Sequence, residues 1–285
     1  MQSLDLESFL ADNTYAESTG KTYSYMITRA LKYLESLEDL TPRKFRDWLF
    51  NEKENWSNST RWLGYNALRA FIKWKYGKDH PALDFSMKRE EPGPQRTLSL
   101  QDAQLLDRYL SQKDDTKGVR DLAIFSLLLD TGLRSSELCR VDRDLLDIHN
   151  RTLTVKIKGG DWGAAIFSEV TSKRLIDWLH LRVDMVNGSK ALFLSTGGIK
   201  PGTRITPAGL RNIVRKWGER AEIGALSPHD FRRTFATIAT INHAPPRMLQ
   251  IAGRWSRLKE VERYTKGLRL LEFDQYLPMR LISTR

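Results

Sequence analysis

Cys139 is the single cysteine among 285 residues. No disulfide can close within the chain, and nothing speaks for an oxidising compartment. No stretch approaches the ~18 apolar residues that a bilayer span requires. The opening MQSLDLESFLADN is acidic and lacks the basic-then-apolar order of a secretory signal. Internal repeats and low-complexity tracts are missing, and no His, Cys and carboxylate cluster has metal-ligand spacing. These absences point to a globular protein of the cytoplasm with no membrane partner and no metal.

What is present narrows the field further. At 40% hydrophobic and 28% charged residues the chain can bury a core, which excludes wholesale disorder. At roughly 150 residues per domain, the length predicts two domains. Lys and Arg number 46 against 35 Asp and Glu, a net charge of +11. The excess is uneven: residues 1–90 hold 14 basic and 13 acidic residues, and residues 91–285 hold 32 and 22. A basic surface favours a polyanion, because each neutralised phosphate releases condensed counterions. Charge nominates nucleic acid as a partner, but a generic basic protein has the same balance.

Residues 1–80 read as four helices. Ser3 can cap the first, and a long amphipathic run extends from about Tyr15 to Leu37, with Tyr23, Met26, Ala30, Leu31 and Leu34 at helical spacing. Thr41-Pro42 is a cap followed by a first-turn proline. Asn58 or Ser59 can open the fourth helix, whose tail Lys73-Trp74-Lys75-Tyr76 interleaves basic and aromatic residues. Such a face can lie along a phosphate backbone, although aromatics at helical spacing more often serve a core. Residues 91–98, with two prolines and a glycine, read as a linker. Beyond it, Ser99 with Asp102 predicts a helix start, and a second apolar helix ends at Thr131-Gly132. Residues 151–158 alternate like a strand, Gly159-Gly160 makes a turn, and Ala164–Phe167 reads as a return strand. After about Thr171 the pattern is helical, apart from a loop around Gly197–Gly202.

Four short segments carry residues suited to chemistry. In TGLRSSEL (131–138), Arg134 stands near a helix start, where free N–H groups and the helix dipole favour an anion. Its planar fork binds phosphate bidentately and keeps its charge. Lys158, at the tip of the strand-turn-strand, can protonate a leaving alkoxide. In SPHDFRRTFA (227–236), His229 and Arg232 are three apart and share a helical face; one can exchange protons and the other can hold a phosphate oxygen. Finally, Ala252-Gly253-Arg254-Trp255 precedes Glu262-Arg263-Tyr264. A tyrosine needs neighbours that stabilise its phenolate before it becomes a nucleophile, and an indole N–H can bind a phosphate oxygen. Each segment alone has a plainer structural reading, as a salt bridge, a solvated hairpin lysine, a helix cap or a core aromatic.

In this order and spacing, the segments resemble the tyrosine recombinase (phage integrase) family, which includes the Xer-type recombinases. The likeness covers about residues 97–268. The family's first arginine motif falls on Thr131–Leu138, with Arg134 as the arginine and Glu137 as its acidic partner. Its hairpin lysine falls on Lys158, its H-x-x-R box on His229 and Arg232, and its later His-or-Trp position and tyrosine on Trp255 and Tyr264. Residues 1–90 resemble the family's helical core-binding domain more weakly, through the long tyrosine-bearing helix and the Leu-Thr-Pro helix start.

The resemblance implies a mainly α protein: a helical core-binding domain at 1–90, a linker at 91–98, and a catalytic domain at 99–285. The catalytic domain is mixed α/β, mostly helical with a small antiparallel sheet, and its C-terminal tail begins at about residue 268. The implied partner is double-stranded DNA carrying recombination sites, clamped between the domains, with four copies of the chain on paired sites. The implied reaction is site-specific cleavage and rejoining through a 3′-phosphotyrosine at Tyr264. It serves integration and excision of a mobile element or dimer resolution, with no metal and no nucleotide cofactor. Arg134, Arg232, His229 and Trp255 would stabilise the transferring phosphate, Lys158 would protonate the leaving oxygen, and Glu137 would orient one of the cations. A non-catalytic DNA-binding protein of the same fold and a type IB topoisomerase are the alternatives.

Three positions depart from the usual family pattern. Trp255 stands where many members have histidine, Arg233 where histidine is frequent, and Arg254 where glycine is common, which leaves the register there open by one residue. Lys156 lies two residues before Lys158, on the same strand face, and competes with it for the lysine's role. The tail can complete its own domain or dock into a neighbouring copy.

Overall fold

The computed structural model describes residues 2–34, 36–51, 55–90, 95–157, 160–185, 188–197 and 200–265. By internal packing the chain divides into two units, Met1–Gln95 and Arg96–Arg285.

The first unit holds α1 (Gln2–Asp12), α2 (Glu17–Tyr33), α3 (Pro42–Leu49) and α4 (Asn58–Tyr76), followed by a 3₁₀ turn over Pro81–Asp84. Thr41 caps α3 as its sequence predicts, its hydroxyl accepting from the Lys44 N–H at 3.3 Å. Helix α4 is capped one residue earlier than expected, by Ser57, whose hydroxyl accepts from the Thr60 N–H. Helix α1 already begins at Gln2, so Ser3 lies within its first turn. Helix α2 stops at Tyr33, short of the expected Leu37, because Leu34 turns extended at φ −94° and ψ 125°. Leu34 and Leu37 are still buried, so the apolar spacing there reports core contact by a loop.

Within the Lys73–Tyr76 tail, Trp74 and Lys75 are engaged inside this unit. Trp74 packs on Phe9 and Phe71 with ring centroids 5.6 and 5.8 Å apart, and its indole N–H donates to Asp12. Lys75 pairs with Asp5 at 2.8 Å. The tail therefore fastens α4 to α1, which is the core reading of that pattern. Phe9, Phe45, Trp48 and Phe71 are all buried, each contributing roughly 1.5–3 kcal/mol of burial. An exposed pair such as Glu17–Lys21 contributes about 0.5 kcal/mol, so the aromatic core holds this unit together.

In the second unit, Ser99 and Asp102 form the expected capping box at the start of α5 (Leu100–Ser111). Helix α6 (Thr116–Thr131) is the central element. Its Ala123, Ile124, Leu127 and Leu128 are inaccessible, and it packs chiefly between α8 (Glu169–Arg182) and α10 (Pro228–Ile241). Phe125 meets Phe231 edge-on, and Trp217 from α9 (Pro207–Arg220) closes the same cluster. Helix α6 ends where Gly132 adopts φ +57°, the left-handed stop its glycine predicts. The short helices α7 (Ser135–Arg140), α11 (Pro246–Ala252) and α12 (Lys259–Thr265) carry the motif segments.

The sheet is small and antiparallel, with order β1 (Leu146–Asp147), β2 (Thr152–Lys156) and β3 (Trp162–Ile166). Leu153 pairs with Leu146 on one side and Ala165 on the other. The two-residue β1 is too short to show a period in sequence. Leu153 and Val155 are buried while Thr154 and Lys156 face outward, the alternation expected of a half-buried strand. Residues 191–194 are an exception to the helical reading beyond Thr171. They are buried, with bends at Leu192 and Phe193 between isolated bridges from Ala191 to Asp142 and from Leu194 to Arg204. A four-residue apolar run carries no period that separates strand from helix. No described helix is long and apolar enough to cross a membrane.

Candidate active site

Two chain turns build the site. The first follows α6: Gly132 reverses the chain, Leu133 is buried as an anchor, and Arg134 takes the N-cap position of α7. The second follows α11, where Gly253 leads into Arg254 at φ +55° and then Trp255. Both turns pass close to aromatic rings. A methyl group at Gly132 would fall 2.5 Å from Phe235, and one at Gly253 would fall 1.7 Å from the Trp255 ring.

Arg232, on α10, joins the turns. One terminal nitrogen donates to the Gly132 carbonyl and the other to the Gly253 carbonyl, both at 2.6 Å. Its guanidinium carbon lies 4.3 Å from the centroid of the Trp255 ring. Carbonyl oxygens carry no full charge, so the guanidinium keeps its positive charge, and each terminal nitrogen keeps a second N–H for another acceptor. Burial, together with the neighbouring Arg134 charge, lowers the Arg232 pKa to about 10, which still leaves it protonated at neutral pH.

Glu137 is buried behind Arg134. The Arg134 side chain donates to it at 2.6 Å and the Arg134 backbone N–H at 3.0 Å. Burial alone would raise the Glu137 pKa; the Arg134 hydrogen bonds, with the charges of Arg254 and Arg134, outweigh it and hold the carboxyl below its usual range. Helix α10 opens with Ser227, whose backbone N–H and hydroxyl both donate to Asp230. His229 follows Pro228 and keeps an exposed edge. Desolvation lowers its pKa, assisted by Arg233, Arg232 and Arg134 and opposed by Asp230.

Trp255 sits between Arg232 and Tyr264. Its ring centroid is 5.7 Å from that of Tyr264, and on another side it stacks with Phe235 at 6.4 Å. Tyr264 is half-buried on α12. The fold thus gathers Arg134, Glu137, His229, Arg232, Trp255 and Tyr264 from three of the four sequence segments. Lys158, from the remaining one, lies outside the described residues, as does the tail from residue 268. Lys156 faces outward on β2, opposite Trp162 on β3.

One participant was not nominated by its sequence. Arg254, which appeared there only as a departure, is buried and reaches Glu137 at 3.5 Å. It also donates to the carbonyls of Thr131 and Ala252. Its single sequence signal is a large cation where the family commonly carries glycine.

The phage integrase family model matches residues 98–269, a span that holds all of these groups. The chain belongs to the phage integrase family. It is 29% identical over 246 residues to the tyrosine recombinase XerC of Corynebacterium glutamicum, covering 84% of this chain and 79% of that one. To the XerC of Vibrio campbellii it is 32% identical over 161 residues, 55% of this chain and 49% of the other. Among solved structures it is similar to the XerH site-specific recombinase bound to a palindromic difH substrate in a post-cleavage complex. The TM-score is 0.74 at 16% identity, covering 92% of this chain and 80% of that one. The Tn1549 transposon integrase in complex with transposon right end DNA also gives 0.74, at 17% identity and 98% coverage of each chain. This integrase-family chain therefore has the tyrosine recombinase fold, and its reaction class is DNA strand cleavage and rejoining.

Proposed function

We propose that Tyr264 is the nucleophile of a site-specific recombination reaction, and that Arg134, Arg232, His229 and Trp255 form its phosphate-binding frame. The Tyr264 oxygen attacks a DNA phosphodiester in line. The new bond joins phosphorus to the tyrosine oxygen, and the bond to the 5′-oxygen breaks, leaving a 3′-phosphotyrosine and a free 5′-hydroxyl. His229, its pKa lowered, accepts the tyrosine proton, and Lys158 supplies the proton to the leaving oxygen. Arg134 and Arg232 hold the non-bridging oxygens, and the Trp255 indole N–H adds a third donor. Glu137 orients one of these cations, holding Arg134 through its backbone N–H. Because the phosphotyrosine conserves the phosphodiester bond energy, a 5′-hydroxyl from another strand reverses the step and completes strand exchange.

The observation that carries this reading is the succession Arg232, Trp255 and Tyr264: a buried cation 4.3 Å from an indole ring, and that ring 5.7 Å from the tyrosine. It supports a nucleophile one ring away from the charge that would hold its target. Residues 1–90 act as the DNA core-binding domain, joined through 91–98 to the catalytic domain at 99–285. Four copies assemble on paired sites in the cytoplasm, for integration and excision of a mobile element or for dimer resolution.

Covalent capture tests the reading and finds the DNA site in the same experiment. The protein is mixed with sheared chromosomal DNA from its source, denatured in detergent, and the attached fragments are sequenced. The expected result is one recurring sequence joined through its 3′-phosphate, and its loss in Tyr264→Phe. Bound DNA with no adduct would sink the catalytic reading and favour a DNA-binding protein of the same fold.

A further inference from the structure

Arg254 combines three costs that a residue serving stability alone would not carry. Its side chain is only 4% exposed, so a full charge has been taken out of water. Its Nε is buried with no hydrogen-bond partner among the described residues. Its φ of +55° is a conformation that glycine adopts without strain. Glycine at this position would remove all three.

In return, Arg254 spans both turns of the site. One terminal nitrogen donates to the Ala252 carbonyl at 2.6 Å, fixing its own turn. The other donates to the Thr131 carbonyl at 2.9 Å and reaches Glu137 at 3.5 Å, on the turn that carries Arg134. Its stem lies against the hairpin: a methyl at Gly163 of β3 would come 3.3 Å from Arg254 Cδ, so glycine there leaves room for the arginine. The residue after it is Trp255, which packs toward both Arg232 and Tyr264.

We propose that Arg254 is a positioning residue that ties the turn bearing Trp255 to the turn bearing Arg134. By giving Glu137 a second cation, it also lets the Arg134 side chain leave that carboxylate for a DNA phosphate without stranding a buried negative charge. Arg134 is the more exposed of the two arginines, with 27% of its side chain accessible against 4% for Arg254. The exposed one can turn outward while the buried one stays. The role, though not the contacts, rests on Tyr264 being the nucleophile.

Arg254→Gly is the direct test, because glycine relieves the backbone while deleting the tie. Arg254→Lys is its companion, keeping a charge near Glu137 without the fork that spans two carbonyls. Amide hydrogen exchange of the full chain without DNA is read first. Exchange about fivefold faster or more is expected in Arg254→Gly at residues 131–134 and 253–257, with α4 and α8 unchanged. Unchanged exchange at the two turns overturns the tie. The second measurement is single-turnover adduct formation on a nicked duplex carrying the captured sequence. A loss of about tenfold or more is expected in Arg254→Gly, with duplex affinity within about threefold of the unaltered protein and Arg254→Lys between the two. An unchanged rate, or equal losses of rate and affinity, overturns the positioning role. If Arg254→Gly fails to fold, Arg254→Lys carries both measurements with the same directions expected. An unaltered protein that forms no adduct defeats the role of Tyr264, while the exchange measurement still decides the tie.

Discussion

The Arg232 guanidinium lies against the Trp255 ring, its central carbon 4.3 Å from the ring centroid. The contact joins a buried cation to the indole that neighbours Tyr264, and the ring is itself buried. Trp255→Ala is expected to cost about 3–5 kcal/mol of stability, in the range for truncating a buried tryptophan. It should also slow adduct formation more than Trp255→His, which keeps an N–H donor. Urea unfolding and single-turnover cleavage measure the two effects. Equal rates for the two variants would remove the donor role of Trp255.

Glu137 carries a pH signature. Its folded pKa is depressed, so its contribution is fully present above the ordinary carboxyl value of 4.5 and is lost as pH falls through the lower folded value. Glu137→Gln leaves the Arg134 and Arg254 charges without their carboxylate and is expected to destabilise the protein at neutral pH by roughly 3–5 kcal/mol. The gap from the unaltered protein should narrow as pH drops below 4.5. Melting temperature against pH for the two proteins checks both the size and the sign.

His229 should titrate below the ordinary imidazole value of 6.5, with desolvation as the largest cause and Arg233 the foremost of the neighbouring charges. The ring is then neutral at pH 7 and free to accept a proton. Arg233→Gln is expected to raise the midpoint measured by NMR and to move the acid limb of the cleavage rate in the same direction. A midpoint that ignores the substitution would detach Arg233 from the site.

Gly253 has an ordinary φ of −83°, so alanine there meets no backbone strain. The obstacle is the Trp255 ring, 1.7 Å from where a methyl would sit. Gly253→Ala must push the ring away from Arg232, and a loss of about 1–3 kcal/mol or more is expected, with adduct formation strongly reduced. Thermal unfolding and the cleavage assay read the two effects. Full activity in this variant would mean that Trp255 need not keep its place.

Much of this arrangement was legible in the sequence because motif and geometry coincide. Arg134 and Glu137 are three apart across a helix start, His229 and Arg232 three apart on one helix, and Trp255 lies nine residues before Tyr264. Local chemistry also announced the Gly132 stop, the Thr41 cap and the Ser99 box. What stayed hidden depends on tertiary contact. The bridged run at 191–194 is buried by surroundings that its own composition does not name. The end of α2 at Tyr33 is masked by Leu34 and Leu37, which are buried from outside the helix. Arg254 looked like an interruption because its partners, Glu137 and Thr131, stand far earlier in the chain.

Arg232 is held by the carbonyls of Gly132 and Gly253 and by no carboxylate among its hydrogen-bond partners in the described residues. Main-chain oxygens are supplied by every amino acid, so a substitution at either partner position threatens the path of the turn rather than the acceptor itself. The cation is thus anchored by the shape of the main chain, and it stays in place only while both turns keep their course.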